Sequence, residues 1–461
     1  MKIKHFRAEA VHGYMDFDIT FNDDLTFLTG INGSGKTTVV KAISALITPS
    51  LASLGCTDYA RMEVELHNVE LENEKRQVTI SAVRGAGEFT LRTSQTEKDL
   101  TLPLFPSDVA GPPYRIEERE LEYYREMETE HANHPVMKLV RSLPSPMSLG
   151  IERRAAAPFP YSDETRSVPY RIRRRTRTVF GSSLSSSLQD AIQLAEQRYR
   201  EIDARQRQLT EDLRKNILLI ALKYEPSTSG RGLDLRFRRP QIGDIEPTKE
   251  MVLATLQALG LAREEFEPDL DAFFSELEEV SGLAEGEDDF RRLLESGTPE
   301  QRQKILGWAI NRFQFDRITE IVGFIEAYIR DRREVNKPVD RYLDIVNEFL
   351  RDSNKGLCFD ETGTLSVGIG GRKPVPVTSL SSGESQIIVI ISHLSFNPTA
   401  QLANVFIVDE PELSLHVRWQ ELFVKAVTEA NPNLQVILAT HSPSIILDDT
   451  EHCIDLSQGI L

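Results

Sequence analysis

Cysteine is scarce: Cys56, Cys358 and Cys453 are the three in a chain of 461 residues. They are far apart and form no CxxC pair, which excludes a disulfide framework and leaves reduced, structural thiols. No apolar run approaches the roughly 20 residues that span a bilayer, so the sequence predicts no membrane association. The start, Met1-Lys2-Ile3-Lys4-His5, enters strand-like alternation at once, without the apolar segment of a secretory signal. A cytoplasmic location is expected. Positive charge is also in deficit: 54 Lys and Arg face 71 Asp and Glu, a formal charge of −17. Phosphate contacts need locally concentrated Lys and Arg, so attraction of the whole protein to nucleic acid is excluded and only a local patch remains. Arg153, Arg154, Arg166, Arg171, Arg173, Arg174, Arg175 and Arg177 form such a stretch within the Pro/Arg-rich segment 144–178. It permits a nucleic acid contact, and the competing role is pairing with acidic helices.

What is present divides in three. Residues 1–115 open with strand patterns at Lys2–Glu9, Met15–Phe21 and Leu25–Leu28, then a glycine-rich turn and the helical pattern Thr37–Ile47. Alternation at Arg61–Leu71, Gln77–Arg84 and Glu88–Thr93 predicts an antiparallel β layer. Residues 116–356 are mostly helical, and because no heptad persists for many turns, a compact insertion is expected rather than a long coiled coil. Residues 357–461 return to alternating strand and helix: helix Gly383–Phe396, strand Val405–Asp409, helix Val417–Ala430, strand Leu434–Ala439. That order predicts a parallel α/β sheet.

Gly30-Ile31-Asn32-Gly33-Ser34-Gly35-Lys36-Thr37 fits the phosphate-loop spacing directly after a strand. Glycines let backbone N–H groups close around phosphate oxygens at a helix N-terminus. Asn32, Gly33, Ser34, Gly35, Lys36, Thr37 and Thr38 are the expected nucleotide-facing residues, with Lys36 on the outer phosphates and Thr37 offering its hydroxyl to Mg²⁺. The apolar run Val405–Val408 delivers Asp409 and Glu410 at a strand's carboxyl end, where α/β proteins bind ligands. Asp409 suits a metal role and Glu410 the polarisation of water; a buried strand ending in a solvated acidic turn is the competing reading. Ser381, Ser382, Gly383 and Glu384 lie in a turn before an apolar helix, either a plain N-cap or a second anion site. His441 ends the next strand.

In this order the set resembles the ABC ATPases: Walker A at Gly30–Thr37, signature at Leu380–Gln386, Walker B at Val405–Asp409, catalytic Glu410 and switch histidine His441. The runs Asp409–His416 and Ala439–Pro443 are similar to the branch containing RecF, SMC and the overcoming-lysogenization-defect ATPases. The resemblance covers about residues 1–95 and 357–461. It implies an α/β ABC-type ATPase head, a mixed or parallel sheet with an antiparallel β layer and a large helical insertion, that binds ATP and Mg²⁺ and hydrolyses ATP. The signature of one copy would close the nucleotide of another, giving a homodimer or higher homo-oligomer. There are departures: Ser382 stands where transporters carry glycine, His416 where the D-loop aspartate is usual, and neither Gln77 nor Gln95 is identified as the Q-loop residue.

The long stretch between Walker A and signature disfavours a transporter motor. The ATPase subunits of the PARIS and Septu anti-phage systems are similar in kind, which implies an oligomeric sensor or scaffold controlling a separate effector such as a Toprim or HNH nuclease. With 20 residues after His441, a nuclease is expected to act in trans. A RecF/SMC-like ATPase of DNA repair or chromosome organisation is the alternative.

Overall fold

The computed structural model of the chain describes residues 1–48, 50–71, 74–106, 113–149, 155–156, 183–222, 242–258, 263–283 and 287–459. The arginines of the basic segment, Arg153 to Arg177, lie outside the described residues. Contacts divide the chain into two compact units, Met1–Tyr199 with Pro338–Leu461, and Arg200–Lys337.

The first unit begins with β1 (Lys2–Val11), β2 (Met15–Thr20) and β3 (Leu25–Thr29), then α1 (Lys36–Ile47) and α2 (Leu51–Cys56). In β2, Met15, Phe17 and Ile19 are buried and their neighbours exposed, the period-two pattern of a strand with one face on a core. β4 (Arg61–Leu71), β5 (Glu74–Arg84), β6 (Glu88–Thr93) and β7 (Leu100–Pro103) complete an antiparallel sheet ordered β2-β1-β4-β5-β6-β7. There follow α3 (Pro113–Glu130), α4 (Pro135–Ser142), β8 (Met147–Leu149), β9 (Ala155–Ala156) and α5 (Ser183–Ala221).

The second unit takes the end of α5, then α6 (Ile242–Ala258), α7 (Arg263–Leu283), α8 (Glu287–Ser296) and most of α9 (Pro299–Leu350). Its core gathers Val252, Phe274, Ile305 and Val322. The ion pairs Lys249–Asp271 and Lys304–Glu279 link α6 to α7 and α9 to α7.

Back in the first unit, β10 (Lys355–Phe359), β11 (Leu365–Ile369) and β12 (Val375–Pro376) form a small antiparallel sheet. Then come α10 (Ser382–Phe396), α11 (Pro398–Ala403), β13 (Val405–Asp409), α12 (Val417–Ala430), β14 (Gln435–Ala439), α13 (Pro443–Ile446) and β15 (Cys453–Asp455). The second six-stranded sheet runs β15-β3-β14-β13-β8-β9, parallel except for the β8–β9 pair. Every residue of β13 is buried, as a strand covered on both faces requires. Helix α1 lies between the sheets: Val39, Ile43 and Leu46 share one cluster with Phe6, Val64 and Ile80 on one side and Val405, Ile407 and Ile437 on the other. The first unit is a mixed α/β head with a parallel sheet and an antiparallel layer, and the chain carries a large helical insertion, the architecture expected from the sequence.

The helical middle is divided differently from the 116–356 boundaries read in the sequence. Helices α3 and α4 belong to the first unit, because Tyr124, Val136, Met137 and Val140 are buried in its core. Pro338–Leu350 of α9 belongs there too, with Tyr342, Val346, Phe349 and Leu350 buried. The 39-residue α5 and 52-residue α9 each contribute residues to both units. Pro338 stands inside α9 without ending it.

Candidate nucleotide site

Strand β3 runs into the phosphate loop, and the loop's glycines take conformations that L side chains avoid: Gly30 φ 140, Gly33 φ 87 and Gly35 φ 89. Space adds to the requirement, since a Cβ at Gly35 would lie 2.5 Å from Phe17 Cζ of β2. Gly35 is the N-cap of α1 and has no side chain to satisfy the first amides, and no acidic residue stands in the first turn. The positive end of α1 thus carries neither a side-chain cap nor an acidic residue of its own. Asn32 and Gly33 are exposed, Ser34, Gly35 and Lys36 buried, Thr37 and Thr38 half-buried. Lys36 folds back over the loop, its Nζ donating to Gly30 O at 3.1 Å and Ile31 O at 3.2 Å. Burial lowers its pKa, while the charges of Glu410, Asp409 and Glu412 act in the opposite sense.

Asp409 ends β13 at 5% exposure. Burial raises its pKa, the nearby Thr37 side chain opposes this, and Glu410 adds to it. Its Oδ1 is buried with no hydrogen-bond partner, and so is Ser34 Oγ. Buried polar atoms without partners are costly and rare. Glu410 follows in the left-handed region (φ 50, ψ 59), an uncommon conformation for a residue with a Cβ. Its N–H donates to Ala439 O at 2.8 Å, which ties the exit of β13 to that of β14. His441, one residue beyond the buried Thr440, is exposed. Lys36, Thr37, Asp409 and Glu410 therefore lie together where β3, β13 and β14 end.

The signature turn is built otherwise. Ser381 caps α10 and forms a capping box with Glu384. Glu384 accepts from Ser381 N and Oγ at 2.8 and 2.9 Å, from Ser353 Oγ at 2.9 Å and from Lys355 Nζ at 2.8 Å. Burial would raise its pKa, but the Lys355 ammonium, the Ser381 donors and Ser353 hold it down to about 2. The assignment of Glu384 to nucleotide contact is corrected accordingly: its carboxylate points inward and fixes the turn. Ser381 and Ser382 are exposed and Gly383 half-buried. Among the described residues no hydrogen bond or ion pair joins this turn to the phosphate loop of the same chain.

Sequence reasoning assigned no role to Glu412, Thr440, Gln420, Ser353 or Lys355. The first three stand in or beside the quoted motifs, so their position was the available signal. Lys355 is 29 residues from Glu384, and no spacing rule reaches it.

The residues present fit ATP with Mg²⁺. The partnerless Asp409 Oδ1 and Ser34 Oγ, the uncapped α1 and the glycine cradle make a polar pocket that the chain alone leaves unsatisfied. Among the described residues there is no cluster of three or more His, Cys, Asp or Glu suited to a metal. One carboxylate and one hydroxyl suit Mg²⁺, which keeps waters and phosphate oxygens as its other ligands.

Fold and site define a phosphate-loop ATPase head. Residues 25–448 match the family described as "AAA domain, putative AbiEii toxin, Type IV TA system", and the chain belongs to that family. Over 91 residues it is 30% identical to a protein of Vibrio cholerae serotype O1 biovar El Tor described as "Retron Vc95 probable ATPase". That stretch covers 18% of each chain, so most of the curated relative is unmatched. Among solved structures, the Smc head domain of Pyrococcus furiosus with an extended coiled coil, bound to the C-terminal domain of ScpA, gives a TM-score of 0.40 at 11% identity, covering 100% of this chain and 94% of that one. The SMC head domain of Thermotoga maritima gives 0.34 at 11%, covering 98% and 92%. At such scores the likeness carries no argument, and the fold rests on the strand order and loop geometry above. No helix among the described residues is long and apolar enough to cross a membrane.

Proposed function

We propose that the chain binds ATP with Mg²⁺ at Asn32–Thr38 and hydrolyses it between two copies of itself. One observation carries this reading: the buried Asp409 Oδ1 has no partner among the described residues, although it lies beside Lys36 and Thr37 at the mouth of a glycine cradle. Thr37 and Asp409 would hold Mg²⁺, which when bound neutralises charge on the outer phosphates. The loop amides and Lys36 bind and orient those phosphates. Glu410 accepts a proton from water at its carboxylate, and His441 contacts the terminal phosphate. Ser381, Ser382 and the Gly383 amide of one copy meet the nucleotide of the other, in keeping with the lack, among the described residues, of a hydrogen bond or ion pair between this turn and the loop of the same chain.

The ATP-driven change of assembly controls a separate effector, such as a Toprim or HNH nuclease, in anti-phage defence inside the cell. Two findings support that part: the toxin and type IV system named in the family description, and the retron ATPase similar to this chain. Phosphate release by wild type and Glu410→Gln tests the chemistry. The variant is expected to keep ATP and lose at least 100-fold in turnover; unchanged turnover removes Glu410 from its role. Purification with the products of neighbouring genes tests the effector, and a chain that recovers no stoichiometric partner with or without ATP contradicts it.

A further inference from the structure

Two segments leave the parallel sheet side by side, Glu410–His416 after β13 and Thr440–Ser442 after β14. One carboxylate bridges them. Thr440 Oγ1 donates to Glu412 Oε2 at 2.8 Å, and the His441 N–H donates to Glu412 Oε1 at 2.8 Å. Thr440 is fully buried and also accepts the Ser442 N–H at 3.0 Å. Gln420 of α12 backs the pair: its Oε1 accepts from Ser442 Oγ at 2.6 Å, and its Nε2 donates to Leu415 O at 2.9 Å. Hydrogen bonds to an ionised carboxylate are about twice as strong as neutral ones, and a carboxylate accepts at both oxygens. The exposed His441 is thus anchored through its own amide and the preceding side chain, by the residue two beyond Glu410.

We infer that Glu412 is a positioning residue that sets His441 against Glu410 for ATP hydrolysis, an inference that rests on the roles proposed above for those two residues. A shift of about 1 Å in a catalytic group costs on the order of 100-fold in rate; Gln420 also joins the two turns, donating to Glu412 O at 3.4 Å and accepting from Ser442 Oγ, but it is Glu412 that holds the His441 amide itself. Glu412 also adds to the negative charge around Lys36. The two roles separate by substitution: Glu412→Gln removes the charge but still accepts from the His441 amide, whereas Glu412→Ala removes both contacts.

The test compares kcat, ATP affinity and amide hydrogen exchange at 440–442 in wild type, Glu412→Ala, Glu412→Gln, Thr440→Val and the double variant Glu412→Ala with Thr440→Val. Positioning predicts that Glu412→Ala loses about 100-fold in kcat with ATP affinity within about threefold, and that exchange at His441 quickens. Glu412→Gln recovers most of the rate, and Thr440→Val adds little on top of Glu412→Ala, because both cut one linkage. Equal losses in Gln and Ala variants, or affinity falling in step with kcat, overturn the inference in favour of charge. Unchanged kcat or unchanged exchange in Glu412→Ala overturns it as well. A wild type that binds no ATP sinks the proposed function, while the exchange measurement still decides whether Glu412 holds the His441 turn.

Discussion

The phosphate loop and the signature turn of this chain are opposites in their hydrogen bonding. At the phosphate loop and the end of β13, Ser34 Oγ and Asp409 Oδ1 are buried and partnerless, and α1 starts without a cap. At the signature turn every acceptor of Glu384 is engaged and α10 starts with a full capping box. The first arrangement costs stability in the free chain and gains it when a ligand completes it. The second is finished before any ligand arrives and leaves Ser381 and Ser382 exposed. In the function proposed above, the first half waits for the nucleotide and the second would present a preformed surface to it.

Three substitutions press on that contrast, from the largest effect to the smallest. Lys36→Ala is expected to weaken ATP binding by 100-fold or more, since it removes the cation from the waiting half; titration calorimetry that still finds tight ATP breaks the phosphate-loop assignment. Acid should undo the finished half. Glu384 has a folded pKa near 2, below its ordinary 4.5. Its contribution is therefore complete above about 4.5 and lost as pH falls towards 2, an effect of up to about 3 kcal/mol. Lys355→Met should remove much of this acid dependence and cost about 2 kcal/mol at neutral pH by leaving Glu384 without its cation. Denaturant midpoints between pH 5 and 3 measure both, and identical slopes for variant and wild type contradict the account.

Asp409→Asn should raise the stability of the nucleotide-free protein by about 1 kcal/mol. The sign follows from the upward shift: an acid whose folded pKa is raised destabilises the fold as pH climbs above its ordinary value. Removing the charge removes that penalty at neutral pH, and the same variant should lose Mg²⁺-dependent stabilisation by ATP. A lower melting temperature for Asp409→Asn would show that the carboxylate is satisfied within the chain.

Much of the waiting half was legible in the sequence, because a glycine-rich turn after a strand and an acidic pair after an apolar run are local patterns with fixed spacing. Strand β13 and helices α1 and α12 followed from periodicity for the same reason. The finished half was legible only in outline. Ser381 and Glu384 match the capping-box spacing, yet the resemblance to ABC signatures turned Glu384 towards the nucleotide, and the lysine that turns it inward comes from β10. The bridge from Glu412 to His441 pairs residues 29 apart in sequence and close only through the β13–β14 register. Helix ownership failed too, since α3 and α4 look like other charged helices until Tyr124 and Val136 are seen in the core of the first unit.

Native mass measurement of Glu410→Gln, with and without ATP–Mg²⁺, tests most directly whether the halves meet across two copies. The account predicts a monomer mass without nucleotide and a doubled or higher mass with ATP bound at one molecule per chain. A monomer that holds ATP would contradict it, because the signature turn would then have no nucleotide to meet.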